Sequence, residues 1–169
     1  MELQFDEILM REIDKEELSA VIEEVEAESD VAALIASSLE SGSPEKLAEI
    51  VLLMEEMLEK TEGPVRAFGL YKGEAAVGYV ALSDYETVSP EIQIALKEEC
   101  RRRGIGYWAL RAVIGEAFAR EDVAHLVYRV RADNLPSIAL VEKCGGKLIE
   151  FSEYWNAVIK RYHIFRPTV

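Results

Sequence analysis

The spacing of hydrophobic residues changes near residue 65. Before that point apolar residues recur at helical spacing, which predicts helices over residues 15–28, 31–39 and from 44 to just before Gly63, after a short strand at 9–13. Beyond it, alternating and short apolar runs predict strands at 66–71, 74–82, 91–96, 124–130, 147–152 and 158–166. Two helices, over 106–120 and from Asn134 to Gly145, interrupt these strands. The pattern predicts one α/β domain with a mixed sheet.

Local signals support these boundaries. Asp14 is placed to cap the first long helix, with Glu17 three residues later as its capping-box partner. Ser43 and Pro44 are typical of a helix start, and Asn134 caps the last helix. Lys72-Gly73 between two apolar runs predicts a tight antiparallel hairpin.

Length and composition narrow the class of protein. A chain of 169 residues suits one domain with one sizeable core. The longest apolar run has eight residues, 75–82, whereas a membrane-spanning helix needs about 20. The acidic start lacks the basic flank of a signal peptide, and Cys100 and Cys144 make no disulfide framework, so we expect a cytoplasmic protein.

Charge is distributed unevenly. Residues 1–90 contain 22 acidic and 6 basic residues, and residues 91–169 contain 10 acidic and 13 basic residues. The net charge of −13 argues against general nucleic-acid binding. The uneven distribution suits a protein that binds one polyanionic small molecule in its C-terminal half. The acidic N-terminal half either attracts a cationic partner or only keeps the surface solvated.

The segment after the strand at 91–96 is the most specific feature. Arg101-Arg102-Arg103-Gly104-Ile105-Gly106 joins that strand to an amphipathic helix. Glycines let backbone N–H groups approach phosphate oxygens, and the helix start directs its positive dipole end to the same place. The segment predicts a pyrophosphate-binding turn.

Other chemistries fit these residues less well. Residues 104–109 match the dinucleotide fingerprint G-x-G-x-x-G/A, but the charged stretch 97–103 separates strand from glycine and the upstream hairpin is antiparallel. His125 and His163 are the only histidines, too few to predict a metal site, and each cysteine has a structural place.

The same segment resembles the R/Q-x-x-G-x-G/A motif of the GCN5-related N-acetyltransferase (GNAT) superfamily. Asn134-x-x-Ser137, followed by Glu142-Lys143-Cys144-Gly145, is similar to the N-x-x-S…E-K-x-G segment of the ribosomal-protein-acetylating branch. The resemblance covers residues 65–166 well. In the N-terminal region it is limited to the presence of helices.

The resemblance implies a mostly antiparallel mixed sheet of about six to seven strands, flanked by helices and with splayed central strands. Residues 1–169 would form a single domain, with 1–62 as a helical acceptor-side segment and 65–166 as the acetyl-CoA-binding core. It implies that the strand residues Ile94, Ala95 and Leu96 pair with pantetheine, and that an N–H near Leu96 stabilises the oxyanion. The remaining implied cofactor-binding residues are Arg101, Arg102, Arg103, Gly104, Ile105, Gly106, Asn134, Ser137 and Lys143.

For several of these residues a purely structural role stays open. At least one of the three arginines is expected to be merely solvated, and Asn134 and Ser137 also suit helix capping. Lys143 either reaches nucleotide phosphates or is a solvated helix-end lysine.

The implied reaction is direct acetyl transfer from acetyl-CoA to an amine, without a metal. Glu91 is the best general-base candidate, acting through water. Relatives commonly carry a tyrosine as general acid where this chain has Val141, which leaves Tyr107, Tyr128, Tyr154, Tyr162 or water. The second glycine of Gly145-Gly146 is also usually aromatic.

We therefore expect an N-acetyltransferase acting on a small-molecule or peptide amine. Residues 1–62 contain 19 acidic and 4 basic residues, which favours a cationic acceptor. A dimer is common in the family, and no nucleic acid or membrane partner is expected. The alternative is a non-catalytic acyl-CoA-binding regulatory module, and a longer acyl donor also remains open.

Overall fold

The computed structural model describes residues 1–26, 63–154 and 157–168, without the side chains of 154 and 157. Its strands are β1 (Glu2–Phe5), β2 (Ile8–Ile13), β3 (Val65–Lys72), β4 (Ala75–Ser83), β5 (Glu91–Leu96), β6 (His125–Arg131), β7 (Lys147–Tyr154) and β8 (Ala157–Phe165). Its helices are α1 (Lys15–Glu26), α2 (Ile105–Phe118) and α3 (Leu135–Lys143). The helices predicted at 31–39 and after Ser43 lie outside the described residues.

The strands form one sheet in the order β1-β2-β3-β4-β5-β6-β8-β7. All neighbours are antiparallel except β5 and β6, which are parallel. The described residues thus contribute eight strands, against the expected six to seven. The strand missed is β1, a four-residue edge strand whose side chains are all exposed.

Helices pack on both faces of the sheet. Leu18, Val21 and Val25 of α1 pack against β3 and β4. On the opposite face, α2 buries an apolar stripe that includes Leu110, Val113, Ile114, Ala117 and Phe118, as its amphipathic pattern predicts. That face also buries Ile138 and Val141 of α3. We refer below to the α1 face and the α2 face of the sheet.

Helix starts follow the predicted caps in part. The Glu17 backbone N–H donates to the Asp14 carboxylate at 2.8 Å, as an N-cap requires. The Glu17 side chain does not complete a capping box; instead it accepts hydrogen bonds from Arg11 and Tyr71. Asn134 caps α3 by accepting from the Ser137 N–H at 3.2 Å.

Candidate functional site: a gap between two strands and a glycine turn

The parallel strands β5 and β6 touch at one end only. Their single paired position is Glu91 with Val127, and the Val127 N–H donates to Pro90 O at 2.9 Å. Beyond Glu91, β5 remains paired with β4 along its whole length, and β6 remains paired with β8. A gap therefore opens between β5 and β6 toward Leu96, as expected for splayed central strands.

The backbone of β5 presents donors to this gap. The Lys97 N–H donates to Val77 O of β4 at 2.8 Å. Backbone groups alternate in direction along a strand, so the N–H groups of Leu96 and Ile94 point the other way, toward the gap. The structure thus places the predicted residues Ile94, Ala95 and Leu96 along the gap, with the Leu96 N–H at its open end.

The turn after β5 begins α2 without a capping side chain. Arg102 and Gly104 both have positive φ, 63° and 81°, and turns of this kind direct successive N–H groups to one side. Gly104 holds the N-cap position, where no side chain of the described residues accepts from the first helical turn. The N–H groups at the start of α2 are therefore available to an anion.

Close packing fixes this turn against β5. A Cβ atom on Gly106 would lie 3.2 Å from Cδ1 of Leu96, closer than ordinary van der Waals contact. The Arg101 Nε donates to Leu96 O at 3.1 Å. The close approach of Gly106 to Leu96 and the Arg101 hydrogen bond hold the start of α2 beside the open end of the gap.

The three arginines are exposed but differ in their surroundings. Arg103 lies 3.4 Å from Glu7 and 3.8 Å from Asp6, both in the turn between β1 and β2. The Phe5 ring of the same hairpin stacks on Trp108 of α2, with centroids 5.3 Å apart. Arg103 is therefore drawn toward the N-terminal hairpin, whereas no such carboxylate lies beside Arg101 in the described chain.

The end of α3 adds a cation near the turn. The Lys143 Nζ lies 4.2 Å from the centroid of the Tyr107 ring, and the Arg111 guanidinium lies 5.9 Å from it. Tyr107 belongs to the first turn of α2, so this cluster adjoins the glycine turn. Arg111 did not appear among the sequence candidates, although its spacing of four residues from Tyr107 places both on one helix face.

Ser137 links α3 to β6. Its hydroxyl lies 2.6 Å from the Tyr128 hydroxyl. Burial raises the pKa of Tyr128, against a smaller lowering effect of the Ser137 hydrogen bond. The phenol therefore stays protonated at neutral pH, in contact with a hydroxyl on the first turn of α3.

Glu91 occupies the closed end of the gap. Its residue is 8% exposed, and its carboxylate lies 4.0 Å from the Arg129 Nε. Its Cα partner on β4 is Ser83, whose hydroxyl lies 3.4 Å from Glu91 O. Ala95, four residues after Glu91 on β5, packs with the buried residues of α1. Because side chains alternate between the two faces of a strand, Glu91 also lies on the α1 face.

The other tyrosines and the cysteines are placed differently. The Tyr162 hydroxyl donates to Glu142 at 3.1 Å, and the Tyr154 side chain lies outside the described residues. Burial raises the thiol pKa of both Cys100 and Cys144, which disfavours the nucleophilic thiolate.

The histidines are distant in sequence but adjacent in space. The rings of His125 and His163 stack with centroids 3.9 Å apart. Within residues 1–26, 63–154 and 157–168, no three His, Cys, Asp or Glu side chains come together as a metal site would require. No helix in those same ranges is long and apolar enough to cross a membrane.

Known proteins share this architecture. The structure of ribosomal-protein-S5-alanine acetyltransferase from Vibrio fischeri superimposes with a TM-score of 0.67 at 12% identity, covering 98% of this chain and 96% of that one. Spermidine N-acetyltransferase from Vibrio cholerae, solved with CoA and spermine, gives a TM-score of 0.64 at 17% identity over 95% and 96%. A dodecameric structure of that enzyme gives 0.62 at 16% identity over 95% of each chain.

Sequence comparison assigns the family. No curated protein matches the chain. A sequence profile described as the acetyltransferase (GNAT) domain matches residues 7–147, most of the chain. That range contains the gap between β5 and β6, the glycine turn and α3. The chain belongs to the GNAT acetyltransferase family.

Proposed function

We propose that this protein transfers an acetyl group from acetyl-CoA to a primary amine by direct attack. The observation that carries the proposal is the gap between β5 and β6, which ends at the uncapped, glycine-containing start of α2. An extended pantetheine arm would fill the gap as a strand does, and a diphosphate would receive the free N–H groups of the helix start.

Different residues would bind different parts of the cofactor. Residues 101–106 would bind the diphosphate, with Arg101 and Arg102 supplying charge and Lys143 and Arg111 extending the cationic surface. The N–H groups of Ile94 and Leu96 would pair with pantetheine. A gap-facing N–H near Leu96, such as that of Ile94 on the side toward Glu91, would stabilise negative charge on the thioester oxygen during attack.

Two proton transfers accompany the reaction. The amine nitrogen forms a bond to the thioester carbon, the C–S bond breaks, and the nitrogen loses a proton to Glu91 through water. The departing sulfur takes a proton from the Ser137 hydroxyl, which regains one from Tyr128, 2.6 Å away. Water then returns a proton to Tyr128 and removes the one held by Glu91, so that both groups regain their starting forms. The pair of Ser137 and Tyr128 would replace the tyrosine that relatives carry at the position of Val141.

The acceptor is proposed to be a cationic small-molecule or peptide amine in the cytoplasm. Residues 1–62 contain 19 acidic and 4 basic residues, and a field of that sign attracts a protonated amine. The spermidine enzyme from Vibrio cholerae, which shares the fold, was solved with spermine. Residues 1–62 would shape the acceptor side, residues 65–166 would bind the donor, and a homodimer is the expected assembly.

The test combines binding with turnover. Calorimetry of the full chain should show CoA binding, and free thiol should appear when acetyl-CoA is mixed with a suitable amine. Diamines and lysine-like amines should react faster than uncharged or anionic amines. CoA binding without thiol release from any amine would instead support a regulatory acyl-CoA-binding module, and no binding at millimolar CoA would refute both functions.

A further inference from the structure

We propose that Arg129 determines acceptor specificity by binding a carboxylate on the amine substrate. The proposal rests on the proposed acetyltransferase function and deepens it: the acceptor would be a net-cationic amine that also carries one carboxylate, as a free diamino acid does. Three features of the described residues support it: the position of Arg129, the length of its ion pair with Glu91, and the pairing of the acids near it.

Arg129 borders the gap on the α1 face. Leu126, Tyr128 and Val130 of β6 belong to the core on the α2 face. Alternation therefore places Arg129 on the α1 face, the face that carries Glu91. It lies two residues past Val127, the last position at which β6 pairs with β5. An amine delivered to Glu91 from the α1 face would pass this guanidinium.

The charge of Arg129 is poorly matched by its neighbours. Its Cα partner on β8 is Arg161, and directly opposed like charges are unfavourable. Arg161 is bound by Glu150 at 3.1 Å and donates to His163 at 3.1 Å. Arg129 has no hydrogen bond in the part of the chain that the structure describes. Among residues 1–26, 63–154 and 157–168, its one ionic contact is Glu91 at 4.0 Å.

The next arginine on the same face provides a contrast. Arg131 makes two hydrogen bonds to the Asp133 carboxylate, at 3.2 and 3.1 Å. The Arg129 side chain is 48% exposed, so its planar fork of donors can receive a carboxylate from solution. A bidentate arginine–carboxylate pair is among the stronger polar contacts a surface can offer.

The acids of α1 that face the sheet are engaged elsewhere. Glu17 binds Arg11 and Tyr71, Glu24 accepts from the Ala76 N–H at 3.2 Å, and Glu26 accepts from the Tyr79 hydroxyl at 2.7 Å. These carboxylates give the face its negative field without neutralising Arg129. The combination of a negative field and one half-exposed cation, whose ion pair with Glu91 is long at 4.0 Å, selects an amine that bears a carboxylate.

The experiment compares amines that differ in one group. Wild-type kcat/KM should be about 10-fold or more higher for lysine than for lysinamide, which has no carboxylate. Cadaverine, which also has no carboxylate, should behave as lysinamide does. In Arg129→Gln the lysine preference should fall to nearly one, through a higher KM for lysine. Any change in kcat that follows from losing the Glu91 contact should be equal for lysine and lysinamide. Arg129→Lys should keep part of it.

Arg131→Gln is the matched control, because it removes an arginine from the same strand face and leaves Arg129 in place. It should retain the wild-type preference. Equal use of lysine and lysinamide by the wild type, or a preference that survives in Arg129→Gln, would overturn the proposal. Acetylation of diamines without a carboxylate preference would leave the acetyltransferase function standing, whereas no acetylation of any amine would remove that function itself.

Discussion

A Cβ atom on Gly146 would lie 2.6 Å from Cγ2 of Val141 and 2.8 Å from the Val141 carbonyl oxygen. The Gly146 N–H donates to that same oxygen at 2.8 Å, so the chain folds back tightly after α3. Val141 is fully buried. The two positions at which this chain departs from the family pattern are therefore in direct contact, and each restricts what the other can be.

Gly146→Ala should consequently destabilise the protein. An added methyl group must displace Val141 or the turn, at a cost of about 2 kcal/mol. Urea denaturation should show a lower midpoint with an unchanged slope. Adding Val141→Ala should restore only part of the loss, because the carbonyl oxygen remains in place. An unchanged midpoint in Gly146→Ala would show that the turn relaxes freely.

Gly104→Ala should weaken both stability and CoA binding. Its φ of 81° is costly for a residue with a Cβ atom, although no atom comes closer than 3.9 Å to that position. We expect the free energy of unfolding to fall by about 1–2 kcal/mol. Calorimetry should also show weaker CoA binding, since the turn must change shape. Gly115→Ala in α2 is the control: it has open space and ordinary φ, and should gain up to about 1 kcal/mol. Unaltered CoA affinity in Gly104→Ala would contradict the role of the turn.

Glu7→Gln should strengthen CoA binding at low salt. Glu7 lies 3.4 Å from Arg103 and 2.9 Å from Lys72, so its removal leaves Arg103 freer to turn toward an anion. We expect CoA affinity to rise about two- to threefold. The rise should be absent in the Arg103→Ala background and smaller at higher salt. Glu74→Gln, a surface acid outside this cluster, should have no effect. A large loss of affinity in Arg103→Ala alone would show instead that Arg103 binds the cofactor directly.

Glu91→Gln should lower kcat by about 100-fold while leaving CoA affinity unchanged. The amide keeps the shape of the side chain but cannot accept the proton. Glu98→Gln, in the short turn after β5, serves as the control. A variant that retains the wild-type rate would exclude Glu91 as the base.

Glu17 should make stability sensitive to acid. Hydrogen bonds from Arg11 and Tyr71 hold the pKa of its carboxyl below the ordinary 4.5. A lowered folded-state pKa stabilises the fold above that ordinary value, and the contribution is lost as pH falls through the folded-state pKa. Tm should therefore fall on acidification from about pH 5 to 3, less steeply for Glu17→Gln. Glu16→Gln should follow the wild-type curve.

The sequence predicted most of the described elements because each has a strong period or a clear turn. The hairpin of β3 and β4, the apolar stripe of α2 and the Asn134 cap all appear as expected. The strand β1 did not, since its four exposed residues carry no alternating burial and pair only with β2. The splay of β5 and β6 came from the family resemblance, because divergence of two strands leaves no periodic mark.

The partners of charged residues were harder to predict than the elements. Glu17 has the right spacing for a capping box, yet its side chain accepts hydrogen bonds from Arg11 and Tyr71 instead. Arg103 and Glu7 are 96 positions apart, so only the folded sheet brings the hairpin turn to the start of α2. The same holds for Arg129 and Arg161, whose opposition depends on the register of β6 with β8.

The single paired position between β5 and β6 also affects the cohesion of the molecule. Strands β1 to β5 and strands β6 to β8 are two hydrogen-bonded blocks whose shared ladder is limited to Glu91 and Val127. Near that point the Ala124 N–H also donates to Val88 O at 2.7 Å. Whatever bridges the remaining length completes the ladder, so its binding energy becomes part of the energy that holds the blocks together. A ligand that binds along this gap therefore also strengthens the contact between the two blocks.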